Sequence, residues 1–94
     1  MSQDPVKGSA RAQVPARLID LSIGGALLDL ALALEVGAIH DFALQLDDQM
    51  VWVQGEVRRC HPVRSGGYQV GVEFIGIDPH DQKRLRAYLD QRRQ

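Results

Sequence analysis

The chain has 94 residues, 45% of them hydrophobic, and a formal net charge of −1. This length suits one domain with a single small core. No apolar run reaches the ~20 residues that a membrane-spanning helix needs, so we expect no membrane insertion. Cys60 is the only cysteine, which excludes a disulfide within the chain. The first residues lack the basic and apolar segments of a secretory signal, and we therefore expect a cytoplasmic protein.

The charge is distributed unevenly along the chain. Residues 1–17 carry a net charge of +2, and residues 83–94 carry +4. Residues 18–82 contain ten acidic and three basic side chains, a net charge of −7. An acidic body argues against binding of duplex nucleic acid, although the basic ends could meet a phosphate. For the C-terminal basic residues we favour the interpretation that they lie at the solvated end of a helix, where their charge complements the helix dipole.

The first elements in chain order are an arm and a hairpin. Residues 1–13 contain Pro, Gly, Ser and Ala without an apolar period, which indicates a flexible arm ahead of a domain over residues 14–94. Residues 16–21 are a short strand candidate that leads into a turn over residues 22–25. A second strand should end near Leu30, followed by a less regular connection.

Three further strands follow from alternation of apolar and polar residues. The pattern predicts strands over residues 41–47, 51–58 and 68–74, with a turn at Asp48-Gln49 and a loop over residues 62–67. Half-buried antiparallel strands produce this alternation.

The period changes at Asp78, which is a suitable N-cap followed by Pro79. Apolar residues then recur at helical spacing, as Leu85, Tyr88 and Leu89, and predict an amphipathic helix over residues 78–93. Several strands followed by one helix indicate a mainly β fold. We expect a small antiparallel β-barrel with a C-terminal α-helix.

Four polar or small residues gather in the predicted first hairpin: Asp20, Ser22, Gly24 and Gly25. A carboxylate accepts two hydrogen bonds side by side, and a hydroxyl donates or accepts. Glycines let a ligand or another backbone come close. The cluster suits a planar polar ligand such as a guanine edge. The alternative is a hairpin turn in which the two side chains cap local amides and the glycines supply positive φ.

The segment Asp20-Leu21-Ser22-Ile23-Gly24-Gly25 resembles the Asp/Asn-x-Ser-x-x-Gly motif of the PilZ domain family, bacterial receptors for cyclic di-GMP. Tyr68-Gln69-Val70-Gly71-Val72-Glu73-Phe74 is similar to that family's last barrel strand, and the helix over residues 78–93 to its C-terminal helix. Gly37 precedes a strand, as in the family. The resemblance covers about residues 14–93. It implies a split β-barrel, no enzymatic activity, and cyclic di-GMP as ligand without another cofactor.

The resemblance also implies a set of ligand contacts. Asp20 and Ser22 would bind a guanine or a phosphate, and Gly24 and Gly25 would allow close approach. The phosphates would be met by the nearby cations, which are Lys7, Arg11 and Arg17. Members that bind cyclic di-GMP carry Arg-x-x-x-Arg farther upstream, with a strand between it and the Asp. Lys7 and Arg11 have this spacing but leave no room for that strand, and Arg17 could equally be a surface strand position.

Two functional hypotheses follow. In the first, the domain binds cyclic di-GMP and relays the signal by ordering of its N-terminal arm. In the second, the same fold has no nucleotide affinity and docks a partner protein or a fused effector domain. An OB-like binder of single strands is less favoured, since the body is acidic and has few aromatic residues.

The remaining reactive residues form no recognisable centre. The spacing of His40, His61, His80 and Cys60 does not match a zinc site. We expect neither a metal nor an enzymatic activity. For Trp52 we favour packing under the C-terminal helix over stacking on a ligand.

Overall fold

A computed structural model of the chain describes residues 13–92, with residues 13–15 described as backbone alone. It contains six strands and one helix: β1 (Gln13–Pro15), β2 (Arg17–Leu21), β3 (Gly25–Leu30), β4 (Ile39–Leu46), β5 (Gln49–Pro62), β6 (Tyr68–Ile77) and α1 (Pro79–Gln91). All six strands belong to one sheet, in the order β1-β4-β5-β6-β3-β2.

The ends of this sheet explain why it curls. Only Ala16 separates β1 from β2, yet β1 pairs with β4 at one edge and β2 pairs with β3 at the other. The sheet must therefore bend until its two edge strands, β1 and β2, lie next to each other. All pairings are antiparallel except the parallel β1–β4 pair. The predicted mainly β barrel with a C-terminal helix is confirmed.

The core fills the inside of this curled sheet. Alternate residues of β3, β4, β5 and β6 point inward, and α1 contributes Leu85. The buried side chains are Leu28, Leu30, Phe42, Leu44, Leu46, Val51, Val53, Val57, Val70, Val72 and Leu85. Among the described residues, no polar or charged side chain is buried. Polar chemistry is therefore confined to the outer face and the rims of the barrel.

Several boundaries differ from those expected. β4 and β5 each begin two residues earlier, at Ile39 and Gln49. β5 continues to Pro62, four residues beyond the predicted end, because the alternation stops at Arg58 without ending the strand. β6 continues to Ile77. The β4–β5 turn lies at Asp47-Asp48, one residue earlier than predicted, with Asp47 at a φ of 57°. Aspartate is one of the few residues that tolerate this left-handed conformation.

A short strand also precedes β2 and lies between Arg11 and Asp20. The expectation that no strand fits there is therefore wrong. β1 has three residues and pairs with residues 41–43 of β4. Apart from Gln13, the segment interpreted as a flexible arm lies outside the described residues.

The helix begins as the sequence predicted. Asp78 Oδ1 accepts a hydrogen bond from His80 N at 2.9 Å, and Pro79 occupies the first helical position. Asp81 Oδ2 accepts from Trp52 N at 3.3 Å, which holds the first turn against β5. The last turns then lie beside β2. Within residues 13–92, no helix is both long and apolar enough to span a bilayer.

Candidate functional site

The hairpin between β2 and β3 holds its polar side chains by local bonds. Asp20 Oδ1 accepts from Leu21 N at 2.9 Å, and Ser22 N donates to Gly25 O at 2.9 Å. Ser22 Oγ donates to the same carbonyl over a longer 3.3 Å. These bonds occupy one carboxylate oxygen and the hydroxyl hydrogen. Within the described residues, Asp20 Oδ2 has no partner, so this exposed carboxylate keeps an acceptor for a ligand.

The two glycines of the hairpin differ in their surroundings. A Cβ atom on Gly25 would lie 2.5 Å from the carbonyl oxygen of Val72, whereas one on Gly24 would meet nothing within 4 Å. Neither glycine has a positive φ. The idea that they supply positive φ is therefore wrong. Gly25 is required because β3 and β6 approach closely there.

A bulge in β2 directs Asp20 to the outer face of the barrel. Leu18 pairs with Leu28 and Asp20 with Leu27, so Ile19 is an extra residue on β2. Bulges of this kind re-aim side chains at sheet edges and binding sites. As a result Asp20 lies directly opposite Leu27 of β3.

A second bulge, in β5, presents two arginines together. Val57 pairs with Val72 and Arg59 with Gly71, which leaves Arg58 as the extra residue. Consecutive residues of a regular strand face opposite sides, but both Arg58 and Arg59 are exposed. Sequence reasoning missed this pair. The available signal was the break in alternation at Arg59, which holds the position where the series Val51, Val53 and Val57 would have placed an apolar residue.

The two bulges place four residues side by side across four strands, in a line that we call the cross-strand row. Asp20 of β2 is paired with Leu27 of β3, Leu27 with Gly71 of β6, and Gly71 with Arg59 of β5. Strands lie about 4.8 Å apart, so the Cα atoms at the two ends are about 14 Å apart. A carboxylate and a guanidinium therefore face outward at the two ends of one row.

Gly71 gives the guanidinium its position within the row. A Cβ atom on Gly71 would lie 3.2 Å from Nε and 3.4 Å from Nη2 of Arg59. The arginine side chain thus lies across β6, over the space that a side chain would otherwise occupy.

An open cleft of about 290 Å³ lies along this row, and we call it the barrel-face cleft. It is lined by Asp20, Leu21, Ser22, Gly25, Ala26, Leu27, Arg58, Arg59, Gly71 and Val72. Three of the hairpin residues singled out from the sequence, Asp20, Ser22 and Gly25, therefore meet at one concave surface. Gly24 does not line it.

The cations of the cleft differ in how they are paired. Arg58 Nη1 lies 2.8 Å from Glu73 Oε1 and 3.9 Å from Glu56 Oε1. Within residues 13–92, Arg59 forms no ion pair. One of the two guanidinium groups is therefore available to an anion without breaking a contact.

The other predicted cations are placed elsewhere. Arg17 opens β2, its side chain is 83% exposed, and its Nη1 lies 3.9 Å from Asp29 Oδ2. It does not line the barrel-face cleft. Lys7 and Arg11 lie outside the described residues.

A second depression, which we call the helix groove, separates β2 from the end of α1 and measures about 680 Å³. Its walls include Ile19, Tyr88 and Leu89, and Arg92 lies over the Tyr88 ring at 5.0 Å. Asp20 and Leu21 line both depressions. The hairpin therefore stands between two surfaces, the barrel-face cleft and a groove in which exposed isoleucines lie beside charged side chains of the helix end.

Comparison with known protein families decides what this barrel is. A family model of the PilZ domain matches residues 5–91. The chain belongs to the PilZ domain family. PilZ domains in general are binding and adaptor modules. The match begins at residue 5 and so includes Lys7 and Arg11.

A solved structure shows the same PilZ fold. The inhibitor of motility MotI/DgrA from Bacillus subtilis superimposes with a TM-score of 0.65 at 24% sequence identity, over 77% of this chain and 38% of that one. The chain thus spans less than two fifths of that protein's length. Among proteins with curated functions, none matches this sequence.

The remaining residues discussed from the sequence lie away from the barrel-face cleft of this PilZ domain. Trp52 is partly exposed, and its backbone is bonded to Asp81 at the start of α1. In the part of the chain that the structure describes, no three His, Cys, Asp or Glu side chains come together as a metal site would require.

Proposed function

We propose that this PilZ domain is a non-enzymatic signalling module of the bacterial cytoplasm that binds cyclic di-GMP in the barrel-face cleft. The cross-strand row is the observation that carries the proposal. It sets the carboxylate of Asp20 and the guanidinium of Arg59 at opposite ends of one concave surface.

The chemistry of the row matches the ligand at both ends. The Watson–Crick edge of guanine offers N–H donors, which the free oxygen of Asp20 can accept. An arginine fork pairs with a phosphate or with guanine O6 and N7, and its planar face stacks on a base. Arg59 is available for either contact, and Arg58 lies beside it in the same cleft.

The size of the cleft limits how much of the ligand it holds. About 290 Å³ is near the lower limit of small-molecule sites. One guanylate half of cyclic di-GMP would occupy the cleft between Asp20 and Arg59. The other half would lie over its rim, where further cations can reach it.

Lys7 and Arg11 are the candidates for that outer contact. We propose that they close on the phosphates and that the resulting ordering of the arm relays the signal. Both residues lie outside the described part of the chain. What supports the idea is the position of β1, because the chain that follows Arg11 is attached to β4 from Gln13 onward.

Isothermal titration calorimetry with cyclic di-GMP tests the proposal. We expect binding in the micromolar range, and a loss of tenfold or more, about 1.4 kcal/mol, in Asp20→Asn. Asp48→Asn makes the same charge change in the exposed β4–β5 turn and should bind as the wild type does. Arg11→Ala isolates the contribution of the arm. A folded wild-type protein that gives no heat would show that the proposal is wrong.

The second candidate function is docking of a partner protein without nucleotide affinity. The helix groove favours it, because Ile19 and Ile23 on its rim are 43% and 45% exposed. Exposed apolar side chains beside a depression are typical of protein contacts. If calorimetry detects no nucleotide binding and Ile19→Asp leaves the fold intact, this surface becomes the leading site.

A further inference from the structure

Arg58 lines the barrel-face cleft, but its charge is already paired. Its Nη1 lies 2.8 Å from Glu73 Oε1 and 3.9 Å from Glu56 Oε1. The side chains of Arg58 and Glu73 are 57% and 55% exposed. Ion pairs this exposed contribute little to stability and open readily. The pair can therefore exchange a carboxylate for another anion.

The register of the sheet explains why Arg58 is held there. Glu56 on β5 lies directly opposite Glu73 on β6, and like charges in such a pair repel. The guanidinium of Arg58 contacts both carboxylates and offsets that repulsion. If Arg58 turned toward a ligand, the two glutamates would face each other without it.

Glu73 also lies next to the site itself. Its other cross-strand partner is Gly25 of β3, which lines the cleft. No side chain on Gly25 separates the carboxylate from that surface. A phosphate entering the cleft would thus meet a negative charge well within the ~10 Å over which charges act at 0.1 M salt.

We propose that Glu73 competes with the phosphates of the ligand for Arg58, and so sets the affinity and the salt dependence of the cleft. The inference rests on the proposed function, since it takes cyclic di-GMP as the anion. Glu73 is then an autoinhibitory contact. It holds Arg58 in the ligand-free protein, and binding of the nucleotide must break this ion pair, which lowers the affinity.

The test compares cyclic di-GMP affinity in Glu73→Gln and in the wild type by calorimetry at about 50 mM and about 500 mM salt. We expect Glu73→Gln to bind roughly three- to tenfold more tightly at low salt and less than about twofold at high salt. Glu35→Gln removes the same charge from an exposed loop and should bind as the wild type does. Glu56→Gln, at the longer distance, should give a smaller gain.

Equal or weaker binding by a folded Glu73→Gln variant would overturn the inference while leaving the proposed function intact. If the wild type binds no cyclic di-GMP, the proposed function fails, and inorganic pyrophosphate serves as the probe. Its binding is followed by the NMR signals of the Arg58 and Arg59 Nε–H groups. Larger shifts in Glu73→Gln than in Glu35→Gln support the competition, and equal shifts refute it.

Discussion

The two ends of the cross-strand row are held in different ways. Asp20 belongs to a hairpin whose backbone bonds fix the carboxylate, with Oδ1 bonded to Leu21 N. Arg59 is placed by packing over Gly71 and has no ion pair within the described residues. One end is rigid because the backbone orients it. The other is a long side chain that lies on a flat strand and can move.

This difference assigns separate tasks to the two ends. A fixed acceptor discriminates between ligand edges, because it bonds only a donor that arrives in the right place. An unpaired guanidinium adds charge and adapts to a phosphate or a base. Changes at Gly25, where the hairpin meets β6, should therefore affect folding, whereas changes around Arg59 should affect binding alone.

The largest effect is expected at the rigid end, in Gly25→Ala. The new Cβ would lie 2.5 Å from the Val72 carbonyl oxygen, so β3 and β6 would have to separate. We expect a loss of about 1–3 kcal/mol in the free energy of unfolding, as for an overpacked core, measured by urea denaturation.

Gly24→Ala is the matched control, because its Cβ would meet nothing within 4 Å. Its stability should stay within about 0.5 kcal/mol of the wild type, the usual range for an unconstrained surface position. Equal stability of the two variants would refute the close approach of the strands as the reason for Gly25.

At the mobile end, Arg59→Gln should weaken cyclic di-GMP binding by about tenfold, or 1.4 kcal/mol, with little change in stability. Arg17→Gln removes the same charge from β2 outside the cleft and should have a much smaller effect. Calorimetry on both variants at one salt concentration makes the comparison. If Arg17→Gln loses as much affinity as Arg59→Gln, the assignment of Arg59 as the cation that binds the ligand is wrong.

The sequence predicted the rigid end of the row but not the mobile one. The hairpin could be found because its residues are neighbours along the chain, so that a local motif contains all of them. The same locality predicted the Asp78 cap and the alternating strands. Gly25 was recognised as a place of close approach, but which backbone comes close depends on the pairing of β3 with β6.

Arg58 and Arg59 could not be found in this way. They join Asp20 only through three successive strand pairings and two bulges, and none of these is encoded within a short window. A shift of one residue in any of these pairings would take Asp20 and Arg59 out of the same row. The break in alternation after Val57 indicated an irregular strand, but it did not indicate which residue would lie opposite Gly71.

A smaller effect is expected from Gly71→Ala, which changes the support of Arg59 and not the arginine itself. The added Cβ would lie 3.2 Å from Arg59 Nε, so the flexible side chain would have to shift. Stability should be unchanged or slightly higher, since alanine restricts the unfolded chain. Cyclic di-GMP affinity should fall by about two- to fivefold, less than 1 kcal/mol. Unchanged affinity together with an unchanged fold would mean that the exact position of the guanidinium is unimportant.

The smallest effect is expected from Ser22→Ala, at the rigid end. The hydroxyl is exposed and its bond to Gly25 O is long, at 3.3 Å, while Ser22 N makes the shorter bond that closes the hairpin. The free energy of unfolding should therefore change by less than about 0.5 kcal/mol.

Ser65→Ala, in the exposed β5–β6 loop, is the control. If the hydroxyl contacts the ligand, Ser22→Ala alone should lose about two- to threefold in affinity by calorimetry. Equal affinities would leave Asp20 as the hairpin's polar contact and confine the role of Ser22 to the turn.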